Sequence, residues 1–184
     1  MSGDLAAVEQ QAPALVQDMV ARGLTMGSCE SLTGGLLAAT ITSVPGASAT
    51  FRGALVTYAS DLKCSLVGLE PDLVAQQGVI NAHTARTMAT GARRQLSCDV
   101  AIACTGVAGP EAQDGAAVGT VWLAVAGPDG VRDQLLQLRG DRARIREQTV
   151  AAGLALVRDW LSEHPALVGR PVQNPCSYED PTPK

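Results

Sequence analysis

Short apolar runs alternate with helix-period segments along this chain, and glycine, proline or asparagine marks most changes of period. A chain that switches period this often must bury strands against helices, which constrains it to a layered α/β architecture. The runs over 24–29, 54–59 and 100–104 read as strands, the second by its β-branched and aromatic content. Helices are expected over 5–22, 33–42, 61–67, 71–77, 83–96 and 141–160. Their ends carry matching punctuation. Gly23 is a C-cap, Val44-Pro45-Gly46 a turn, Pro71 a first-turn proline and Gly78 a stop. Asn81 and Asp141 are N-caps, and Asp61 reads as another helix cap. Pro13 falls inside the first helix, whose regular part can begin there. The runs over 118–126 and 131–138, joined by Gly127-Pro128-Asp129-Gly130, read as a hairpin. The expectation is an α/β fold: a three-layer α/β/α domain with a mixed sheet over residues 1–163. From 164 to 184 the proline-rich text has no periodicity and is expected to be an extended or disordered tail.

Composition removes several function classes. The 184 residues suit one domain, and 46% hydrophobic residues can fill its core. Lysine and arginine number 14 against 18 aspartates and glutamates, a net charge of −4, and aromatics are 3%. Such a chain has neither the basic footprint nor the stacking platforms of a nucleic-acid binder. No apolar run is long enough to span a membrane, and Met1-Ser2-Gly3-Asp4 lacks the start of a signal peptide. No membrane partner is expected. The five cysteines are odd in number and lack CxxC spacing, so reduced thiols in a cytoplasmic protein are expected. Cys29, Cys98 and Cys104 read as buried thiols packing as small hydrophobes. His83 and His164 are far apart in sequence, and no metal-ligand spacing occurs. The shortage of aromatics in a small core points to apolar faces buried between subunits, hence a homo-oligomer.

Four segments can carry chemistry. In Cys29-Glu30-Ser31-Leu32-Thr33-Gly34-Gly35, Ser31 sits between a predicted strand and a predicted helix. A serine there can act as a nucleophile beside the unpaired amides of the helix start, with Gly34 and Gly35 allowing close approach. Equally, Ser31 or Thr33 can simply cap the helix. Glu30 can orient the turn or hold Lys63. In Tyr58-Ala59-Ser60-Asp61-Leu62-Lys63, a lysine lies five residues beyond a tyrosine. Desolvation can turn such a lysine into a base, with Tyr58 relaying or orienting the proton; a surface lysine is the plain alternative. Thr105-Gly106-Val107-Ala108-Gly109-Pro110 places glycines at the carboxyl end of a strand, where they can admit a substrate or merely turn the chain. Gly140-Asp141-Arg142-Ala143-Arg144-Ile145-Arg146 offers arginines early in a helix, either a phosphate clamp or a solvated basic face.

Taken in order, these segments resemble a family. The text ESLTGG (30–35), VPGAS (44–48), FRGALVTYASDLKCSLVGL (51–69), GV (78–79), CTGVAGP (104–110), VGTVWLAV (118–125) and GDRARIREQTV (140–150) is similar to the C-terminal domain of the competence/damage-inducible protein CinA. That domain also occurs alone as a nicotinamide-nucleotide amidohydrolase. The likeness covers about residues 5–160 and lies in the ordered set of motifs rather than in any one. It implies a hydrolase that converts nicotinamide mononucleotide to nicotinate mononucleotide and ammonia. The implied catalytic residues are Ser31 as nucleophile, with Tyr58 and Lys63. The implied substrate-binding residues are Thr33, Gly34, Gly35, Ser48, Thr105, Gly106, Gly109 and Arg142. The chemistry is acyl transfer and implies no metal and no organic cofactor. Amides at the start of the 33–42 helix are the expected oxyanion donors.

Two departures stand out. Family members often carry glycines and a proline between GP and VGTV, where this chain has Glu111-Ala112-Gln113-Asp114-Gly115-Ala116-Ala117. The proline-rich tail lies outside the resemblance. The longer form has a domain before this one, so the stand-alone type is expected. The alternatives are a pyridine-nucleotide-binding module without catalysis and a serine–lysine amidase acting on another amide.

Overall fold

The computed structural model describes residues 3–169. Twelve elements follow in the order α1 (Gly3–Ala21), β1 (Met26–Glu30), α2 (Leu36–Thr42), a 3-10 turn (Ala47–Ala49), β2 (Phe51–Val56), α3 (Ser60–Val67), α4 (Pro71–Gln77), α5 (Ala82–Gln95), β3 (Val100–Gly106), β4 (Thr120–Gly127), β5 (Gly130–Gln137) and α6 (Arg142–Glu163). The five strands form one sheet in the order β2-β1-β3-β4-β5. β2, β1 and β3 are parallel, β4 runs antiparallel to β3 and β5 antiparallel to β4, so the sheet is mixed as expected. The segment expected as a tail is outside the described residues beyond 169, as is Cys176.

The pleat sorts side chains to two faces. Val100, Ile102 and Cys104 of β3 join the core shared with α1, α2 and α6. Ala101 and Ala103 face the other way, onto Ala85, Met88, Ala89 and Ala92 of α5. Helices therefore cover both faces, which completes the three layers. Alanine dominates the second core, and α5 lies close to its neighbours. A β-carbon on Gly91 would come within 2.3 Å of the Val67 carbonyl of α3. Close helix packing on small residues replaces the aromatic bulk that the sequence lacks.

Three boundaries differ from expectation. α1 runs through Pro13 without interruption. The buried face of Ala12, Leu15, Val16 and Met19 holds the helix where proline withholds one N–H. β2 starts three residues earlier than its β-branched and aromatic residues suggest and ends at Val56. Thr57 makes a last bond to β1, its N–H donating to the Glu30 carbonyl, and the chain then leaves the sheet at Tyr58. α2 begins at Leu36, because Gly34 and Gly35 both take positive φ, 58° and 95°, and turn the chain first. Asn81 and Asp141 do cap α5 and α6, accepting from the N–H groups of Thr84 and Arg144. Asp61 is not a cap. Ala59 takes that position without a side-chain bond, and Asp61 sits in the first turn of α3. Among the described residues no helix is long and apolar enough to cross a membrane.

Candidate active site

Parallel β1, β2 and β3 bring their carboxyl ends to one edge, where open α/β sheets present ligands. A cavity of about 170 Å³ opens there. Ser31, Tyr58, Lys63 and Arg142 line it, and so do Thr105, Gly106 and Gly109 after β3. Residues drawn from four distant stretches of sequence thus meet at one mouth. Thr33, Gly34, Gly35 and Ser48 do not line it. Ser48 is exposed on the 3-10 turn before β2, toward the opposite end of the sheet.

The local fold leaves Ser31 available. Its N–H continues the parallel ladder by donating to the Cys104 carbonyl at 3.1 Å. Ser31 is 9% exposed and lines the cavity, and among the described residues no partner is found for its hydroxyl. The capping role that competes for Ser31 and Thr33 in the sequence is filled by Glu30. That carboxylate is fully buried and accepts from the N–H groups of Gly35 at 2.9 Å, Leu37 at 3.1 Å and Ala38 at 2.8 Å. It also accepts from the hydroxyls of Thr33 at 2.7 Å and Ser28 at 3.3 Å. Glu30 therefore orients the turn and does not hold Lys63. The start of α2 is occupied by this carboxylate, so those amides are not oxyanion donors as the sequence suggests. The N–H of Leu32, directly after Ser31 and on the cavity wall, has no partner among the described residues.

Lys63 projects from α3 under the sheet edge and is 1% exposed. Its Nζ donates to the Thr57 carbonyl at 2.6 Å. Burial lowers its pKa from the ordinary lysine value, against the raising pull of Cys29, Cys104, Asp114 and Cys64. The Cys29 and Cys104 thiols are themselves pushed up by burial, to about 11 and about 12. They are uncharged near neutral pH, and Asp114 is the carboxylate among the groups acting on Lys63. This also makes Cys29 and Cys104 packing groups, as expected.

Asp114 lies in the loop whose sequence departs from the family pattern. Its Oδ2 accepts the Val79 N–H at 3.0 Å, while the Val79 carbonyl accepts from the Thr105 hydroxyl at 2.8 Å. The peptide groups on either side of Val79 are thus clamped between the loop and β3, and Val79 and Ile80 become one cavity wall. Glu111 and Gln113 of the same loop line the cavity, so the loop forms part of its wall. Gly78 makes the approach possible, since a β-carbon there would lie 2.7 Å from the Asp114 side chain. The Asp-Gly pair at 114–115, both with positive φ, is the turn signal that could have marked this position. Sequence reasoning missed Asp114, Val79 and the Thr57 carbonyl.

Tyr58 is 58% exposed, and its hydroxyl accepts from Arg142 Nη2 at 2.8 Å. Arg142 Nη1 donates to the Gly109 carbonyl, also at 2.8 Å. The guanidinium thus ties the segment after β2 to the turn after β3 across the cavity rim. The bond the structure gives Tyr58 is to Arg142, not to Lys63 or Ser31. Arg146, from the same helix, donates instead to the Thr33 carbonyl and steadies the turn after Ser31.

Comparison with known proteins places this architecture. The family model described as the CinA C-terminal domain matches residues 8–161. A CinA-like protein of Frankia casuarinae is 46% identical over 147 residues, covering 80% of this chain and 34% of its own length. A CinA-like protein of Geobacter metallireducens is 42% identical over 143 residues, covering 77% of this chain and 35% of its own. The chain spans about a third of the length of these curated relatives. Among solved structures, the competence/damage inducible protein CihA from Agrobacterium tumefaciens superposes with a TM-score of 0.81 at 31% identity, covering 86% of this chain and 96% of that one. A competence-damaged protein (CinA) superfamily protein from Escherichia coli gives 0.82 at 28% identity, covering 88% and 94%.

Proposed function

Because the chain belongs to the CinA C-terminal domain family, we propose that it hydrolyses the carboxamide of nicotinamide mononucleotide to nicotinate mononucleotide and ammonia. The observation that carries this reading is an uncommitted serine hydroxyl sharing one cavity with a buried lysine whose charge burial disfavours. Lys63 in its neutral form accepts the Ser31 proton on Nζ. The Ser31 oxygen attacks the carboxamide carbon, and the Leu32 N–H stabilises the oxyanion. As the tetrahedral intermediate collapses, Lys63 returns the proton to the departing nitrogen and ammonia leaves. Water, deprotonated by the same Nζ, then hydrolyses the ester on Ser31 and restores the hydroxyl.

The rest of the nucleotide needs an anion site at the mouth. Arg142 spends two of its five N–H donors on Tyr58 and Gly109, which leaves donors for a 5′-phosphate. Ala108 and Gly109 add N–H groups without partners among the described residues. Tyr58 serves in this account by holding Arg142. Tyr58→Phe is therefore expected to raise KM about tenfold, the worth of one hydrogen bond to a charged group, with kcat nearly unchanged. Steady-state kinetics decide this, and a fall in kcat with a displaced acid limb would make Tyr58 a proton relay instead.

Lys63 must be neutral to act, so the rate should rise with pH through its lowered pKa and level off above it. Asp114 opposes the neutral form. Asp114→Asn keeps an oxygen for the Val79 N–H and removes the charge. The acid limb of the pH–rate profile is expected to move to lower pH, by up to about one unit. An unmoved or upward-shifted limb would separate Asp114 from the base.

The direct test is incubation with nicotinamide mononucleotide and chromatographic identification of nicotinate mononucleotide beside an ammonia assay. Matching amounts of the two products support the reading. Binding without turnover by folded protein would favour a pyridine-nucleotide-binding module. Release from other amides but not from the mononucleotide would favour a serine–lysine amidase of different substrate.

A further inference from the structure

We propose that Glu30 is a positioning residue for the Ser31 nucleophile, an internal cap that frees the serine hydroxyl for chemistry. The inference rests on the reading of Ser31 as nucleophile. A helix start is commonly capped by the side chain of the residue at its N-cap, and serine is among the preferred ones. Here Gly35 holds the N-cap position in a left-handed conformation and offers no side chain. The caps come from below. Glu30, the last residue of β1, sends its carboxylate under the turn to the N–H groups of Gly35, Leu37 and Ala38. The two oxygens divide the work. Oε2 takes Gly35, Leu37 and the Thr33 hydroxyl, while Oε1 takes Ala38 and the Ser28 hydroxyl.

A fully buried carboxylate is costly unless its lone pairs are filled, and here five donors fill them. The positive end of α2 adds to that stabilisation. A carboxylate held this way has one favoured position, and it fixes the residues that follow it. Ser31 is bonded to Glu30 by one peptide link. The turn beyond it is pinned at Thr33 by three side chains: Glu30 and the Cys104 thiol meet the hydroxyl, the thiol at 3.1 Å, and Arg146 donates to the carbonyl at 2.6 Å. The Cys104 carbonyl holds the Ser31 N–H from the other side. The Ser31 oxygen and the Leu32 N–H are therefore set by a frame in which Glu30 touches the most points. Neither group is bonded by Glu30 itself, which leaves both free to meet the reacting carbonyl.

A glutamine at this position has the same shape but presents N–H donors where the carboxylate accepted. Its amide nitrogen would face backbone donors of the first turn, so the turn must shift. Misplacing a nucleophile by about 1 Å costs on the order of 100-fold in rate. The experiment compares kcat and KM for nicotinamide mononucleotide in wild type, Glu30→Gln and Thr33→Val, expressed per folded molecule from thermal melts. The expected result is a fall of about 100-fold in kcat for Glu30→Gln with KM within about threefold, because the phosphate and rim contacts are untouched. Thr33→Val, which removes one donor and leaves the backbone caps, should lower kcat by about three- to tenfold. A residue that only supports the fold would lower the melting temperature and leave kcat per folded molecule intact, and that result overturns the proposal. If Glu30→Gln does not fold, Thr33→Val alone decides: a lowered kcat at constant KM supports the positioning role and an unchanged kcat overturns it. Wild type that releases no ammonia sinks the amidohydrolase reading and this inference together. Active wild type with equally active variants sinks the inference alone.

Discussion

Ser31→Ala is expected to lower kcat for ammonia release by a factor on the order of 10⁵, because removing a nucleophile leaves only binding and oxyanion contacts to act. The substitution should leave the fold intact. The Ser31 hydroxyl has no partner among the described residues, and the bonds that shape the turn run through backbone groups and Glu30. A stability change within about 0.5 kcal/mol is expected on that ground. The variant is also expected to bind nicotinamide mononucleotide, since Arg142 and the turn after β3 are untouched. Loss of binding together with activity would point to a damaged cavity rather than a missing nucleophile.

Lys63→Met should have the second largest effect and, unlike Ser31→Ala, a marked consequence for stability. Activity is expected to fall by about 10²–10⁴-fold, the usual worth of a general base. Melting temperature is expected to rise. Lys63 is buried at 1% exposure, and its pKa is lowered chiefly because burial disfavours the ammonium form. Near neutral pH the unfolded chain holds its lysine proton with the ordinary affinity and the folded chain holds it less tightly. The unfolded state thus binds more protons between the lowered and the ordinary pKa, so wild-type stability climbs with pH across that window. Below the window the folded state carries the cost in full. Methionine has similar length and no charge to desolvate, although it abandons the bond to the Thr57 carbonyl, worth about 1 kcal/mol. For a domain of this size each 1 kcal/mol gained raises the melting temperature by about 2–4 °C. A dead and stabilised variant would identify Lys63 as a group kept for function. A dead and destabilised one would make it a structural lysine whose bond to Thr57 matters more than its chemistry.

The layers of the fold were legible because period and punctuation agree. Gly23, Asn81, Gly78 and Asp141 each end or start a helix where their chemistry says they should. The hairpin over Gly127 to Gly130 was equally plain, and the two glycines pair across it. Strand β2 departs from the expected 54–59 because Thr57 and Tyr58 have strong β propensity but serve the site instead. Propensity measures fit to a pleated surface and has no access to a tertiary demand of this kind. The start of α2 was misplaced because two consecutive left-handed glycines can be read either as packing or as a turn, and only the surrounding bonds decide.

At the site, residue types and order brought out Ser31, Tyr58, Lys63, Thr105 and Arg142, which the fold does gather at one cavity. Their partnerships were not legible. Tyr58 was expected to serve the lysine, yet its hydroxyl accepts from an arginine far along the chain. The α2 amides were expected to face the substrate, yet a carboxylate from the preceding strand consumes them. A spacing rule counts residues along the chain, whereas a buried acceptor competes through space. Asp114 escaped notice because its role depends on contact with Val79, which lies 35 residues earlier.

The measurement that bears most directly on the account is ammonia release from nicotinamide mononucleotide by purified wild type and Ser31→Ala, assayed side by side with binding of the mononucleotide to both. Release by wild type, none detectable from the variant, and comparable binding by the two are expected. Equal release by the two proteins, or binding without release by folded wild type, would contradict it.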